Sequence, residues 1–265
     1  MVKHGGKQVY GGMSTTAIVL IVLSIIVLFG IGIYLYTTTS GGMNTLLATT
    51  VNLNTKPPQD PVLVAKLTNP QSTRYAYGIW VYVNTWDTNM NKVIFSRHKD
   101  ILLYLDKTTG VFNCVIGSKK SFYSESVIEG KLNKAMNPDM LEPSYKATPN
   151  FITVMNNFPI QTWVNIVVNI DNTNSDIYIN GKLVKSIQIN QVEPDKTNDL
   201  YYGNGYDAAV AGFNRWSLPV TPNQVWNQYL NGNGSGSLAN MLGGSYNASV
   251  TIKKNNAITS QFNLF

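Results

Sequence analysis

QTWVNIVVNIDNTNSDIYINGKLVKSIQI, residues 161–189, is the most informative stretch of this 265-residue chain. In its first part, WVNIVVNID (163–171), an aliphatic side chain stands at every even position, which predicts a strand with one wholly apolar face lining a core. Asn180-Gly181 is the strongest hairpin signal in the chain, because both residues tolerate positive φ. We therefore predict that strands at 176–180 and 182–189 follow the first strand in an antiparallel sheet.

Further runs with a period of two flank this stretch on both sides, separated by turns rich in Asn, Asp, Thr and Gly. They are VLVAKL (62–67), YAYGIWVYV (75–83), KVIFSR (92–97), ILLYLD (101–106), GVFNCVI (110–116) and AAVAGFNRW (208–216). Many short strands at regular spacing, with almost no helical pattern, predict an all-β fold, an antiparallel sandwich or barrel.

One short helix is predicted within SLPVTPNQVWNQYLNG, residues 217–232. Thr221 is a natural N-cap, and Pro222 suits the first helical position because its missing N–H would be unpaired there in any case. Gly232 can close the helix in the left-handed conformation.

The N-terminal region contains AIVLIVLSIIVLFGIGIYLY (17–36), twenty residues without a charge. A helix of this length rises ~30 Å and matches the hydrocarbon core of a bilayer. A cleaved secretory signal is the competing interpretation, and Lys3 and Lys7 fit its basic start. The apolar run, however, exceeds the ~7–15 residues of a signal sequence, and no A-x-A cleavage site follows. We predict an uncleaved signal-anchor, a single transmembrane helix whose N-terminus is cytoplasmic.

These features divide the chain into five consecutive parts. They are a short N-terminal segment (1–16), the transmembrane helix (17–36), a polar linker (37–60), a β-sandwich (61–232), and a Gly/Ser-rich linker with a C-terminal tail (233–265). Residues 117–150 form a proline- and lysine-containing excursion with a strand at 122–128. The tail, with a strand at 249–253, is either a frayed terminus or a docking arm that adds a strand to a neighbour's sheet.

Composition excludes several classes of protein. Charged residues make up 13% of the chain, and the net charge of +6 is not clustered as polybasic binding segments require, so no nucleic-acid partner is predicted. Cys114 is the single cysteine, which excludes an internal disulfide framework and a cysteine-based zinc site. Its apolar neighbours indicate a small buried side chain. His98 is the one histidine of the sandwich. No Ser–His–Asp set is readable in the sequence, and we expect no cofactor.

The order of these segments resembles the concanavalin A-like (laminin-G-like) lectin/glucanase superfamily across residues 61–232. The strand WVNIVVNID followed by the hairpin DIYINGKLVKS (176–186) carries most of the resemblance, and LYYGNGYDAAVAGFNRWSLPVTPNQVWNQYLNG (200–232) is similar to the family's closing strand and short helix. The resemblance implies a two-sheet antiparallel jelly roll of roughly a dozen strands.

Glucanase members of this superfamily carry the acidic motif E-x-D-x-x-E on one strand, and the sequence does not contain it. A retaining hydrolase needs two carboxyl groups ~5–5.5 Å apart. The nearest acidic pairs are Asp171/Asp176 beside a hairpin turn, Glu125/Glu129 in the excursion, and Asp195/Asp199 in a loop. None reproduces the motif, so we expect no catalytic residues and a non-enzymatic protein.

Calcium-binding lectins cluster Asp and Asn in their loops. Two such clusters occur in this chain, one at Asp87, Asn89 and Asn91 and the other at Asp171, Asn174 and Asp176. Asx residues in turns usually bond their own backbone, so we expect turn chemistry at both clusters and no metal site.

Aromatic side chains can stack on sugars, and five tryptophans are available. Trp80 and Trp163 lie within strands and are expected to be packing residues. Trp86, in a loop, is the candidate for carbohydrate binding.

Membrane-anchored proteins with Asn-rich domains of this superfamily are similar to virion proteins of large DNA viruses. The leading hypothesis is a single-pass minor capsid or virion membrane protein, which links an internal lipid membrane to neighbouring capsid proteins. The alternative is a membrane-anchored, lectin-like protein that binds glycans. Asn233 and Asn247 begin N-x-S sequons, which fit a lumenal location.

Overall fold

The computed structural model describes residues 20, 23–32, 42–54, 60–119, 121–123, 137–194 and 197–233, and the backbone of 249–254 and 257–263. The chain divides into two compact units, Met1–Gly42 and Met43–Phe265. In the first unit residues 20 and 23–32 are helical. Among the described residues, no helix combines the length and apolar character needed to cross a bilayer. The segment 17–36 extends beyond the described residues, so its membrane crossing stays a prediction.

The second unit consists mainly of strands. In chain order they are β1 (Met43–Leu47), β2 (Val51–Asn52), β3 (Arg74–Val83), β4 (Lys92–Arg97), β5 (Ile101–Leu105), β6 (Phe112–Ile116), β7 (Phe151–Met155), β8 (Trp163–Asp171), β9 (Asn174–Ile179), β10 (Lys182–Gln188), β11 (Leu200–Tyr202), β12 (Ala208–Trp216), β13 (Ser249–Lys254) and β14 (Ala257–Asn263). One α-helix, α1 (Pro222–Leu230), follows β12.

The strands form an antiparallel two-sheet sandwich, which confirms the predicted fold class. The seven-stranded sheet has the order β1-β12-β3-β8-β9-β10, with β2 also paired to β12, and the five-stranded sheet has the order β11-β4-β5-β6-β7. The tail strands β13 and β14 pair with each other in a separate hairpin. The predicted strand at 249–253 is therefore present in a hairpin, and its docking to a neighbour stays a prediction.

The core lies between the two sheets and follows the alternation of the sequence. The even positions of β8, from Val164 to Ile170, are all buried there. Tyr77 and Ile79 of β3 join them from the same sheet, and Phe95 and Cys114 come from the five-stranded sheet. Cys114 is thus the buried small hydrophobe that the sequence predicts, and its burial raises the pKa of the thiol.

Segments of the chain itself pack on part of the outer face of each sheet. Residues of the excursion, Phe122, Tyr123, Leu141 and Tyr145, form a second apolar cluster on the five-stranded sheet. The Tyr145 hydroxyl donates to the backbone oxygen of Ile116 at 2.6 Å, which ties the excursion to β6. On the seven-stranded sheet, helix α1 inserts Val225 into a third apolar cluster.

Two local signals confirm their predicted elements. At the start of α1 the Thr221 hydroxyl accepts from Gln224 N at 3.3 Å, and Gln224 Oε1 accepts from Thr221 N at 2.8 Å, which completes a capping box. The turn between β9 and β10 places Asn180 at φ 50° and Gly181 at φ 76°, as a tight hairpin requires.

The structure differs from the sequence prediction at several elements. Strands β1 and β2 lie within the predicted linker 37–60, because their Leu and Val side chains pack on the core despite Thr- and Asn-rich surroundings. Residues 62–67 form one bridge and a 3-10 helix (Val64–Lys66) instead of a strand, since Asp199 accepts from Val64 N at 2.7 Å. The predicted strand at 122–128 is a single bridge at Tyr123, and residues 124–128 lie outside the described residues. Short strands β7 and β11 were not predicted.

Candidate functional site

Trp86, the predicted carbohydrate-binding residue, is half-buried in the loop that follows β3. Its indole N–H donates to the backbone oxygen of Lys107 at 3.0 Å. The Lys92 ammonium lies 4.1 Å from the centre of the ring, close enough for a cation–π contact. These contacts use the indole N–H and one ring face for packing. A role of Trp86 in glycan binding stays a prediction.

The first Asp/Asn cluster adopts the turn chemistry that the sequence indicates. Asp87 Oδ1 accepts from Asn89 N at 2.8 Å, which is an Asx turn. The Lys92 ammonium donates to the backbone oxygens of Asp87 and Met90, so a cationic group of the chain itself occupies this loop. Burial lowers the pKa of Lys92, and the nearby charge of Asp87 partly opposes that shift. Within the described ranges, His, Cys, Asp and Glu form no group of three suited to a metal ion.

Two carboxylates of the other candidate sets, Asp171 and Asp199, have structural partners. Asp171 forms an ion pair with Arg74 at 2.7 Å. Asp199 accepts its hydrogen bond from the backbone of Val64. Glu125, Glu129 and Asp195 lie outside the described residues, so the absence of catalysis stays a prediction.

A buried ionic cluster that sequence reasoning missed lies at one end of the core. Arg97 and Asp100 form an ion pair of 3.0 Å in which both side chains are 0% exposed. The hydroxyls of Tyr75 and Tyr77 donate to the same carboxylate. Burial, with the nearby Asp100 charge, raises the pKa of Tyr77 to about 12, although Arg215 and Arg97 act in the opposite direction.

The same cluster anchors a loop of the backbone. Arg97 donates to the backbone oxygen of Pro70 at 2.8 Å, and Arg215 donates to the backbone oxygens of Thr68 and Asn69. The sequence does contain a signal for this cluster: an arginine stands within each of the two apolar strands β4 and β12. Because every group is enclosed by protein, the cluster holds the loop and presents nothing to a ligand.

Neutral polar side chains lie between helix α1 and the outer face of the seven-stranded sheet. Trp80 of β3 and Asn165 of β8 are direct cross-strand neighbours. Gln228 of α1 lies over Gly78, where an added Cβ would come within 2.6 Å of its Nε2. We call Trp80, Asn165 and Gln228 the indole–amide cluster.

The indole–amide cluster combines burial with missing hydrogen bonds. Trp80 Nε1 and both polar side-chain atoms of Asn165 and Gln228 are enclosed and have no hydrogen-bond partner among the residues that the structure describes. The Tyr229 ring stacks on Trp80, with centroids 5.7 Å apart and an interplanar angle of 17°. Asn169, on the same face of β8, instead accepts from Val220 N at 2.8 Å.

The sequence predicted only part of this arrangement. It assigned Trp80 to packing, and its alternation places Asn165 on the face of β8 opposite the wholly apolar one. The two asparagines that interrupt the apolar strand WVNIVVNID were the signal for a buried polar site. That signal could not identify Gln228, because the helix docks on the strand through tertiary packing.

Solved structures of other proteins are distantly similar to this chain, whereas no curated protein matches its sequence. They include the binding domain of botulinum neurotoxin DC in complex with SialylT, at 13% identity and a TM-score of 0.41, covering 62% of this chain and 37% of that one. Trypanosoma rangeli sialidase is similar at 9% identity and a TM-score of 0.39, covering 60% of this chain and 22% of the sialidase. This chain therefore spans well under half of either protein.

The family of the sandwich follows from a match over most of the chain. The laminin G model described as the concanavalin A-like lectin/glucanases superfamily matches residues 56–233. This range contains β3 to β12 and helix α1. It is well over half of the chain, and the chain belongs to the concanavalin A-like lectin/glucanase superfamily.

Proposed function

We propose that this chain is a non-enzymatic, membrane-anchored structural protein, a minor capsid or virion membrane protein of a large DNA virus. In this role it links an internal membrane to the overlying shell. The supporting observation is an exposed apolar surface, the edge patch, formed by Leu183 and Val184 of β10 with Trp226 and Leu230 of α1. Each of these side chains is between 41% and 62% exposed.

The edge patch joins two elements that contact each other. Trp226 lies against the hairpin turn at Gly181, and Leu183 stands opposite Tyr178, which packs beneath α1. Contiguous exposed apolar side chains mark surfaces that bind other proteins. Lys182 and Lys185 flank the patch on β10, so its partner presents apolar side chains bordered by carboxylates.

The strand edge itself favours contact through side chains. The register of β10 shifts between Leu183 and Lys185, which is a bulge in the last strand of the sheet. A bulge and lysines on an edge strand both oppose the addition of a further strand. We therefore expect the partner to pack on the patch and not to extend the sheet.

Two further observations support the anchored, non-enzymatic role. The helical residues 23–32 lie within the apolar segment 17–36, and exposed apolar side chains such as Ile26, Leu28 and Phe29 require an apolar environment. Asp171 is engaged in an ion pair and Asp199 in a backbone hydrogen bond, so these two carboxylates already serve the fold.

The experiment is zero-length carbodiimide crosslinking of purified particles, followed by peptide mass spectrometry. Full-length chain should copurify with the particle, and Lys182 or Lys185 should join to an acidic residue of a shell protein. Trp226→Ala should lower recovery with the particle about tenfold, as loss of an interface anchor does. Leu63→Ser changes an exposed leucine outside the patch and serves as the control. Equal recovery of both variants, or no copurification, contradicts the proposal.

A second candidate, a membrane-anchored glycan-binding protein, is favoured by membership of a lectin/glucanase superfamily. A glycan array probed with the full-length chain in detergent tests it. Specific binding supports this candidate, and loss of binding in Trp86→Ala assigns it to the loop residue. The absence of binding to any glycan contradicts it.

A further inference from the structure

The indole–amide cluster is unusual because several unpaired polar atoms are buried in one region between α1 and the sheet. Most buried polar groups in folded proteins have hydrogen-bond partners. Within the described part of the chain, Trp80 Nε1 and both amide atoms of Asn165 and Gln228 lack a partner, whereas Asn169, on the same face of the same strand as Asn165, has Val220 N. The contrast leaves the cluster with donors and acceptors that a bound molecule can use.

The chemistry of the cluster favours a neutral molecule. An amide side chain offers both donors and an acceptor, and an indole N–H offers a donor. The aromatic rings in this region are uncharged as well: Tyr229 stacks on Trp80, and Trp216 lies beside Gly78, as Gln228 does. A hydroxyl group donates and accepts at once, so it satisfies an amide better than an ion of either sign does.

The stacking of Tyr229 on Trp80 indicates that the bound molecule also contains a ring. Tyr229 covers the face of Trp80 at 5.7 Å, nearly parallel to it. A saccharide ring that stacks on tryptophan takes this same position. Tyr229 is only half-buried, so a rotation of its side chain uncovers the indole without removing Val225 from the apolar cluster beneath α1.

We propose that Trp80, Asn165 and Gln228 form a binding site for one saccharide ring, and that Tyr229 covers this site in the ligand-free protein. The proposal rests on the glycan-binding candidate. The saccharide ring stacks on Trp80 in place of Tyr229, and its hydroxyl groups bond to Asn165 and Gln228. Gly78 is part of the site, because any larger residue would meet Gln228.

The experiment uses full-length chain in detergent on a glycan array, followed by fluorescence titration with the best-bound free oligosaccharide. Asn165→Leu and Gln228→Met keep side-chain size and remove the amide, and each should weaken binding about tenfold. Tyr229→Ala removes the competing ring and should strengthen binding about threefold or more. Gln228→Met also guards against misfolding of the Asn165 variant, since Gln228 lies on the surface helix.

The outcomes separate this proposal from the glycan-binding candidate itself. If Trp86→Ala loses glycan binding while Gln228→Met and Asn165→Leu keep it, the protein binds glycans through another site. That result supports the glycan-binding candidate and overturns the site proposed here. Failure of both the native chain and Tyr229→Ala to bind any glycan overturns both. A melting temperature raised by Asn165→Leu, without glycan binding by the native chain, identifies an empty, strained interface and also overturns the site.

Discussion

Arg97 and Asp100 illustrate how much single residues decide in this sandwich. Their ion pair is fully enclosed, and the hydroxyls of Tyr75 and Tyr77 complete the hydrogen bonds of the carboxylate. Arg74 and Asp171 form an ion pair of similar length, 2.7 Å, but both side chains are about half exposed. Solvent screens the second pair and leaves the first unscreened, so the two should contribute very differently to stability.

Replacement of Asp100 by Asn should destabilise the fold by about 3–5 kcal/mol, because Arg97 then remains buried without a counter-charge. Arg74→Ala, the control, should cost about 0–1 kcal/mol at its exposed site. Urea unfolding of the full-length chain in detergent measures both. Equal losses in the two variants would show that the burial of the Arg97 pair carries no energetic weight.

The hydrogen bonds of Asp106 predict that the folded protein loses stability in acid. Burial tends to raise its pKa, but hydrogen bonds from the backbone and hydroxyls of Thr109 and Thr108 outweigh burial and lower the pKa to about 2. Because this pKa is depressed in the folded state, its contribution is complete above the ordinary value of 3.8 and is lost as pH falls toward 2. Allowing for exposure, we expect about 1 kcal/mol.

The measurement is the unfolding free energy of the full-length chain from mildly acidic pH down to pH 2. Asp106→Asn should flatten the slope between pH 3.8 and about 2, where the native carboxylate takes up its proton. A slope that is unchanged in the variant would assign the acid sensitivity to other carboxylates.

Among the elements, the stability of helix α1 depends on both its N-terminal cap and its packing on the sheet. At nine residues it is too short to persist alone, so its position depends on Val225 and on the capping box at Thr221. The Asn180-Gly181 hairpin lies under the same helix, because Trp226 packs on Gly181. A change in either element should therefore alter the positions of the edge-patch side chains.

Thr221→Ala should destabilise the protein by about 1 kcal/mol, because Gln224 N loses its acceptor. Thr221→Ser keeps the hydroxyl and should restore most of that loss. Thermal unfolding of the full-length chain compares the three proteins. Identical melting temperatures would show that docking alone maintains the helix.

Gly181→Ala should cost more than Gly232→Ala, although both glycines have similar positive φ, 76° and 72°. Each substitution places a side chain in the left-handed region, at about 1–2 kcal/mol. At Gly181 the new Cβ would also lie 2.7 Å from the Trp226 ring, whereas at Gly232 nothing lies within 4 Å. Chemical denaturation measures the difference, and equal costs would contradict the close packing of Trp226 on the hairpin.

At the scale of the whole molecule, the proposed role depends on an apolar segment and a β-sandwich in one chain. The full-length chain should enter the detergent phase on detergent partition and give a far-UV spectrum dominated by β structure. Leu28→Lys should shift it toward the aqueous phase, because a lysine near the centre of a span costs about 2.5–3.5 kcal/mol. Leu28→Ile is the control. An aqueous native chain would refute the membrane anchor.

Much of the fold follows from local properties of the sequence. Alternation in WVNIVVNID specifies which face of β8 is apolar, and Asn180-Gly181 specifies a hairpin, because side-chain direction and positive φ depend on neighbouring residues. Elements without such a signal were missed. Strands β1 and β2 were predicted as linker, because they contain few apolar residues and are strands only through their pairing with the distant β12.

Sequence patterns alone were thus sufficient to specify an all-β sandwich of this superfamily, its principal strands, its capped helix and its buried cysteine. Which polar groups find hydrogen-bond partners became visible only in the folded chain. Asn165 and Asn169 share one face of one strand, yet only Asn169 meets a backbone donor, which comes from a position 51 residues away. Hydrogen bonding and burial of this kind depend on distant segments brought together by packing, and no local pattern encodes them.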